Sequence, residues 1–292
     1  MSISSVAPER VVVEASDGQL IEARFYTPFY TPEAAPRGAV LLVPAMGTTQ
    51  SYYAPFAAWL AAQGFLVATF DYRGTGASRT RPLRGFVADI VDWARLDCAA
   101  MVEAISRRSP GLPLNWLGHS LGGQILPFVP NVSRVARIVT IAAGSGYWRE
   151  NTPALRRRVW WLWFFVVPVA LAVCGYFPGR RLRKVGDLPK GVMAQWRRWC
   201  LDPEYAVGAE GEIVREQFAR IVTPIISLSF VDDELMSAEN IRSLHGFYTG
   251  APRTMTRIAP ADVGARRIGH FGFFRAEHEN RLWRDVLLPE LI

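Results

Sequence analysis

The run Gly118-His119-Ser120-Leu121-Gly122-Gly123 sets one serine between glycines two positions away on either side. A serine hydroxyl at its free pKa is a weak nucleophile and attacks only beside a base that takes its proton. Four imidazoles are on offer, His119, His245, His270 and His278, together with three adjacent carboxylates, Asp232, Asp233 and Glu234, that could orient one of them. A serine, a histidine and a carboxylate in register attack carbonyl carbon and pass through an acyl-enzyme. Metal chemistry is not expected. No histidine or cysteine lies near the three carboxylates in sequence, and Cys98, Cys174 and Cys200 are far apart with no C-x-x-C spacing. No cofactor is expected either.

Such a serine needs a particular turn to present it. "LPLNWLGHS" reads as a strand and "LGGQILPFVP" as a short helix, so Ser120 falls at a strand-to-helix turn whose small neighbours allow tight closure. Its Oγ would stand at the carboxyl end of a sheet, above a helix N-terminus whose N–H groups face a developing oxyanion. The bland reading is a tight turn that merely needed glycines.

The rest of the chain supplies the sheet. "RVVVEASDGQLIEARFYTP" predicts a hairpin turning at Asp17-Gly18. "GAVLLVPAMG", "FLVATFDYRGTGAS", "VARIVTIAAG", "PIISLSF" and "RTMTRIAP" are short apolar runs separated by helical spacings, among them Ser51–Gly64, Asp89–Gly111 and Ser237–Gly250. This alternation predicts an α/β fold with a mostly parallel sheet of about eight strands, helices on both faces and an insertion after the sixth strand. The expected division is a core of residues 1–146 and 206–292 interrupted by an insertion at 147–205.

At 292 residues, 50% hydrophobic and 20% charged, the composition is that of a globular protein. The formal charge is +7, with much of the excess between Arg149 and Arg198. No nucleic-acid motif accompanies it, so nucleic acid is not an expected partner. The opening "MSISSVAPERVVVEASDG" lacks the basic and apolar regions of a signal peptide, and sparse cysteines suit a reducing compartment, so a cytoplasmic location is expected. Val159–Gly179 is uncharged and long enough to cross a bilayer. Spanning would put two halves of one sheet on opposite sides of a membrane, so it is not expected.

"GHSLGG" at 118–123, "DYRGTGAS" at 71–78, "FVDDELMSAEN" at 230–240 and "IGHFGFFR" at 268–275 resemble the α/β-hydrolase superfamily, and the resemblance covers nearly the whole chain. "GYWREN" at 146–151 and "GYFPG" at 175–179 also resemble a bacterial group of predicted serine hydrolases of poorly defined substrate. The resemblance implies Ser120 as nucleophile and His270, in a glycine-flanked loop after the last strand, as base. His119 should leave the turn away from Oγ and pack or hydrogen-bond below the site, His245 should lie on a solvated helix, and His278 should open the last helix. The superfamily usually reads G-x-x-D after the strand "PIISLSF", with Phe230 here replacing the glycine; Asp233 is then the orienting carboxylate and Asp232 the alternative. Leu121 would give one oxyanion N–H. Met46 would give the other, from a Pro44-Ala45-Met46-Gly47 loop where relatives often read H-G-x-G, which leaves the loop's geometry open. Asp71 and Arg73 are expected to be structural, with locally paired charges.

The insertion holds six of the ten tryptophans: Trp148, Trp160, Trp161, Trp163, Trp196 and Trp199. The resemblance implies a cap that shapes the acyl pocket, and an apolar wall favours a greasy substrate. Arginines at its edge could hold an anionic headgroup, or dock residues 156–184 peripherally on an anionic bilayer. The expected function is hydrolysis of a carboxylic ester, with a medium or long acyl chain, on a small-molecule or lipid-like substrate. An amidase or peptidase, an acyltransferase and a non-catalytic binding module are the alternatives.

Overall fold

The structure, a computed structural model, describes residues 7–28 and 36–292. Eight strands form the main sheet: β1 (Glu9–Glu14), β2 (Leu20–Tyr26), β3 (Gly38–Val43), β4 (Phe65–Phe70), β5 (Leu114–His119), β6 (Val135–Ile141), β7 (Ile225–Phe230) and β8 (Arg253–Ile258). Their order is β1-β2-β4-β3-β5-β6-β7-β8. The β1–β2 hairpin is antiparallel, as is the β2–β4 pairing, and the remaining pairs run parallel. Every residue of β3, β4, β5 and β7 is buried, which is why these segments read as unbroken apolar runs rather than alternating ones. The edge strand β8 is exposed along most of its length and carries Arg253 and Arg257, which discourages pairing with another chain.

Two apolar layers cover the sheet. One packs α1 (Ala54–Ala62) and the C-terminal turns against it through Phe56, Trp59, Trp283 and Leu287. The other packs α2 (Ala99–Arg108) and its preceding turns from Ile90 through Trp93, Met101 and Ile105. Arg73 is buried between these turns and the first hairpin. Its Nε and N–H bond Asp97 (2.6 and 2.8 Å), and its Nη1 bonds Asp17 (2.6 Å). Asp71 accepts instead from the N–H groups of Gln50 and Ala77 (2.8 and 2.9 Å). The two charges are therefore not paired locally as expected: Arg73 forms ion pairs across the fold, and Asp71 holds backbone N–H groups.

The short α3 (Leu121–Gln124) leads from β5 toward β6, and the chain between β6 and β7 leaves the sheet. It forms one long helix, α4 (Pro153–Cys174), then a two-residue pairing of Tyr176–Phe177 with Leu188–Pro189, then α5 (Lys190–Leu201). α4 opens into a wide turn at Leu162–Val166, just before Pro168, whose ring lacks the N–H that a regular turn would donate. Trp163, Val167, Ala170 and Leu171 form its buried stripe. α5 is rooted more firmly: Gln195 Oε1 accepts from Ile90 N–H (2.6 Å), and Trp199 stacks on Phe128 at 5.5 Å.

His245, expected on a solvated helix, lies fully buried in α6 (Ala238–Gly246). Its Nδ1–H donates to Ile241 O (2.8 Å), one turn back, and its Nε2 accepts from the Thr140 hydroxyl of β6 (2.9 Å). The helix turns this position, with Ile241 and Leu244, toward the sheet. Burial lowers its pKa from the ordinary 6.5 to about 4. Because the folded form resists protonation, His245 contributes stability above pH 6.5 that is lost as pH falls toward 4. The difference in unfolding free energy between the parent protein and His245→Gln should therefore narrow by roughly 3 kcal/mol over that range. A pH-independent difference in urea titrations would refute this.

Candidate active site

Ser120 sits at φ 50°, ψ −113°, a backbone conformation that a residue with a Cβ adopts only when its surroundings force it. The surroundings here do. Ser120 N–H still pairs with Ile141 O of β6 (2.9 Å), while its carbonyl already accepts from Gly123 N–H (2.9 Å) in α3. The chain must reverse within that space. A Cβ at Gly118 would lie 2.4 Å from Gly122 O, and one at Gly122 would lie 2.1 Å from Val43 O. Both glycines are required by close approach. Trp116 Nε1 closes the turn from beneath by donating to Gly122 O (2.9 Å).

His270 follows β8 and is buried at the same end of the sheet. Its Nδ1 lies 2.9 and 3.1 Å from the two carboxylate oxygens of Asp233, which fixes a proton on Nδ1 and leaves Nε2 as an acceptor. Asp233 Oδ1 also receives the N–H groups of Leu235 and Met236 (2.8 and 2.9 Å), so the carboxylate cannot turn away. Asp232 faces the backbone instead, accepting from Ile268 and Gly269 N–H (2.8 and 3.1 Å), and Glu234 accepts from His270 N–H (3.2 Å). Of the three adjacent carboxylates, two hold the loop and one meets the imidazole. The role of Glu234 carried no signal in the sequence.

The loop after β3 also has its geometry fixed, without the His and Gly of the common motif. Ala45 N–H donates to Tyr53 Oη (2.9 Å), and Tyr72 Oη donates to Pro44 O (3.0 Å). Among the described residues, the N–H groups of Met46 and Leu121 take no hydrogen-bond partner, and both residues line the cavity that contains Ser120. Ser120 Oγ is likewise unpaired among them. Neither tyrosine carries a signal of this role in the sequence, where Tyr53 reads as part of the helical spacing Ser51–Gly64 and Tyr72 as part of the stretch "DYRGTGAS".

His119 joins these parts from below. Its Nε2 lies 3.1 Å from His270 O, and a carbonyl can only accept, so the proton is on Nε2. Its Nδ1 then accepts from Tyr53 Oη (2.8 Å), which in turn accepts from Ala45 N–H. Burial first, and His270 beside it second, hold the His119 pKa well below the ordinary value, consistent with this neutral tautomer. One chain of donors thus runs from the β3 loop through the residue before Ser120 to the His270 loop.

Ser120, His270, Met46 and Leu121 open into one cavity of about 490 Å³. Its far wall is apolar, with Leu155, Val159 and Leu162 from α4, Phe177, and Met193 and Trp196 from α5. Arg158, Arg183 and Lys184 also line it, and no carboxylate does among the described residues. The described residues likewise contain no cluster of His, Cys, Asp and Glu able to hold a metal ion.

Tyr53→Phe would strand Ala45 N–H and His119 Nδ1 together in a buried setting. The expected loss is about 2–4 kcal/mol of unfolding free energy in urea. A loss under about 0.5 kcal/mol would mean that the hydroxyl carries no structural role.

A family model described as serine aminopeptidase, S33, matches residues 34–172. Human monoglyceride lipase is 32% identical over 110 residues, covering 38% of this chain and 34% of its own. A monoacylglycerol lipase of Mycolicibacterium smegmatis is 33% identical over 97 residues, covering 33% of this chain and 34% of its own. The match thus spans about a third of each curated relative. A thermostable carboxyl esterase from Bacillus coagulans superposes with a TM-score of 0.59 at 16% identity, covering 87% of this chain and 90% of that one. With this sheet order, the Ser120 turn and these likenesses, the chain has the α/β-hydrolase fold.

Proposed function

We propose that the chain is a cofactor-independent serine hydrolase that cleaves carboxylic esters carrying an apolar acyl group. The observation that carries this reading is the Asp233–His270 contact. It commits Nδ1 and leaves Nε2 free to take a proton, and His270 lines the same cavity as Ser120. In this mechanism His270 Nε2 takes the Ser120 Oγ proton as the oxygen bonds the ester carbonyl carbon. The Met46 and Leu121 N–H groups hold the oxyanion. The imidazolium, steadied by Asp233, protonates the departing alcohol, and water activated by the same histidine then releases the acid.

Residues 147–205 act as a cap in this reading, with the apolar wall from α4 and α5 receiving the acyl chain. The two curated relatives are named for monoglyceride and monoacylglycerol, which fits single-chain esters. The family description names an aminopeptidase. An aminopeptidase must hold a substrate ammonium group, and a lining with three cations and no carboxylate among the described residues does not suit one.

p-Nitrophenyl esters from acetate to palmitate, with a fluorophosphonate label, test the assignment. Ser120→Ala should abolish labelling and turnover, and Asp233→Asn should lower kcat on the order of 10³–10⁴-fold. Asp232→Asn should cost much less. Labelling that persists in Ser120→Ala, or equal losses in the two asparagine variants, would overturn the assignment.

A peripheral membrane contact through residues 156–184 is favoured by the outer face of α4. By length and composition this helix could cross a membrane, yet its buried stripe packs on the protein. Trp160, Trp161, Phe164, Phe165, Val169 and Val173 point outward, beside Arg156, Arg157, Arg180 and Arg181. Such a helix lies in the interface plane, its apolar face in the acyl boundary and its cations on anionic headgroups. The three cysteines are free, in keeping with a cytoplasmic, peripheral protein. Vesicles containing phosphatidylglycerol should float the protein, and Trp161→Glu with Phe165→Glu should release it. Protein that stays in the soluble fraction with such vesicles would exclude the contact.

A further inference from the structure

The cations of the cavity have no counterpart in the ester-cleaving machinery. Arg158 lies on α4 at the spacing Leu155, Arg158, Val159, Leu162, which is the stripe that faces the cavity. Its neighbours Arg156 and Arg157 fall on other faces and do not line the cavity. Arg183 and Lys184 come from a different element, the turn between Phe177 and Leu188. Arg183 is held there at φ 53°, and Lys184 N–H donates to Gly179 O (2.9 Å). The turn is seated on the proposed oxyanion loop, for a Cβ at Gly47 would lie 2.6 Å from Gly186 N and 3.3 Å from Val185 Cβ. Two separate elements thus bring three positive charges to one cavity rim within a few residues of Met46.

Among the described residues, none of the three lies within ion-pair distance of a carboxylate. The acid nearest in the chain, Asp187, is engaged by Arg79 (3.5 Å) and by Arg180 N–H (3.1 Å). A second arginine-rich groove, at Val263–Arg281, is different: Arg267, Arg275 and Arg281 each face a carboxylate there. Unpaired like charges around one concave mouth repel one another, and the low-dielectric wall behind them focuses their field outward. That arrangement is relieved by an anion.

We propose that Arg158, Arg183 and Lys184 form an anion subsite, and that the substrate is an ester joining an apolar acyl chain to an alcohol that bears a phosphate or a carboxylate. The inference rests on the ester-hydrolase reading for the placement of the acyl chain, and concerns only the other end of the substrate. The acyl group lies along the apolar wall, the carbonyl sits at Ser120, and the anion faces the rim. Guanidinium groups suit either head, since both offer paired oxygens to its planar fork.

Binding and turnover are measured separately. The Ser120→Ala protein is titrated with n-octyl phosphate, mono-octyl succinate and n-octyl glucoside below their micelle concentrations. The wild type is assayed on 1-octanoylglycerol and its 3-phosphate. At least one anionic ligand should bind about tenfold or more tighter than the glucoside, with the tighter head identifying the source of the anion. The preference should weaken from about 20 to 500 mM salt. It should also collapse when Arg158→Gln, Arg183→Gln and Lys184→Gln are combined, and fall partway with Arg158→Gln alone. Equal binding of all three ligands, or a preference unchanged in the combined variant, would overturn the subsite. An anion preference in a protein that cleaves neither ester and takes no fluorophosphonate label would keep the subsite and discard the ester-hydrolase reading instead.

Discussion

The approach of Gly122 to Val43 sets the spacing on which the site depends. With 2.1 Å between the place of a Cβ and a backbone oxygen, no other residue fits without parting α3 from β3. That contact puts the end of β3 directly against the start of the helix after Ser120. The N–H groups of Met46 and Leu121, unpaired among the described residues, therefore follow strands adjacent in the sheet and meet at one cavity. A displaced helix would separate these donors even if every side chain survived. The strained backbone at Ser120 is the local cost of that closeness, and it is held by the pairing with Ile141 on one side and by α3 on the other.

Beneath the serine, polar groups that would be expensive to bury singly are buried together. Ala45 N–H, Tyr53, His119 and His270 O satisfy one another in a single direction, with no group left to choose between donor and acceptor. A protonated His119 would break that order, because Nδ1 could no longer accept from Tyr53. The depressed pKa of His119 and the fixed positions of the β3 and His270 loops are thus two expressions of one network. His270 is steadied twice, through its ring by Asp233 and through its main chain by His119 and Glu234.

Much of this arrangement was legible in the residues. Buried parallel strands announce themselves as unbroken apolar runs, and the Asp17-Gly18 turn and the glycines around Ser120 mark their positions because few other residues fit them. Ser120, His270, Met46 and Leu121 share the cavity, and Asp233 rather than Asp232 meets the imidazole. Choosing between those two aspartates needed the loop itself, since a shift of one residue turns a side chain from the imidazole to the backbone. The tyrosines that hold the β3 loop were not legible, because Tyr53 acts across 66 residues on His119 and no local pattern encodes that distance. His245 misled for a related reason. Its place within a helix says nothing of which face it takes, while the hydroxyl that it bonds, on Thr140, lies in the sheet.

The helix α4 explains why a segment can read as membrane-spanning and still belong to the protein. Its side chains serve three neighbours at once. Leu155, Val159 and Leu162 face the cavity, Trp163 touches both cavity and core, Val167, Ala170 and Leu171 face the core, and Trp160, Trp161, Phe164 and Phe165 face outward. A helix with an apolar neighbour on one side shows a clear polar face, but one with apolar demands on two sides and little polar surface on the third loses that periodicity. Only the ends escape, where the arginines collect. Arg197 from α5 donates to Trp163 O (2.6 Å) at the wide turn, anchoring the helix at its middle while its first turns are mostly exposed. The freer first turns carry both the apolar Leu155 and Val159 and the cation Arg158 to the cavity, and the half from Trp163 onward fastens them to the core. One short stretch of one helix therefore gives the cavity both apolar and cationic lining.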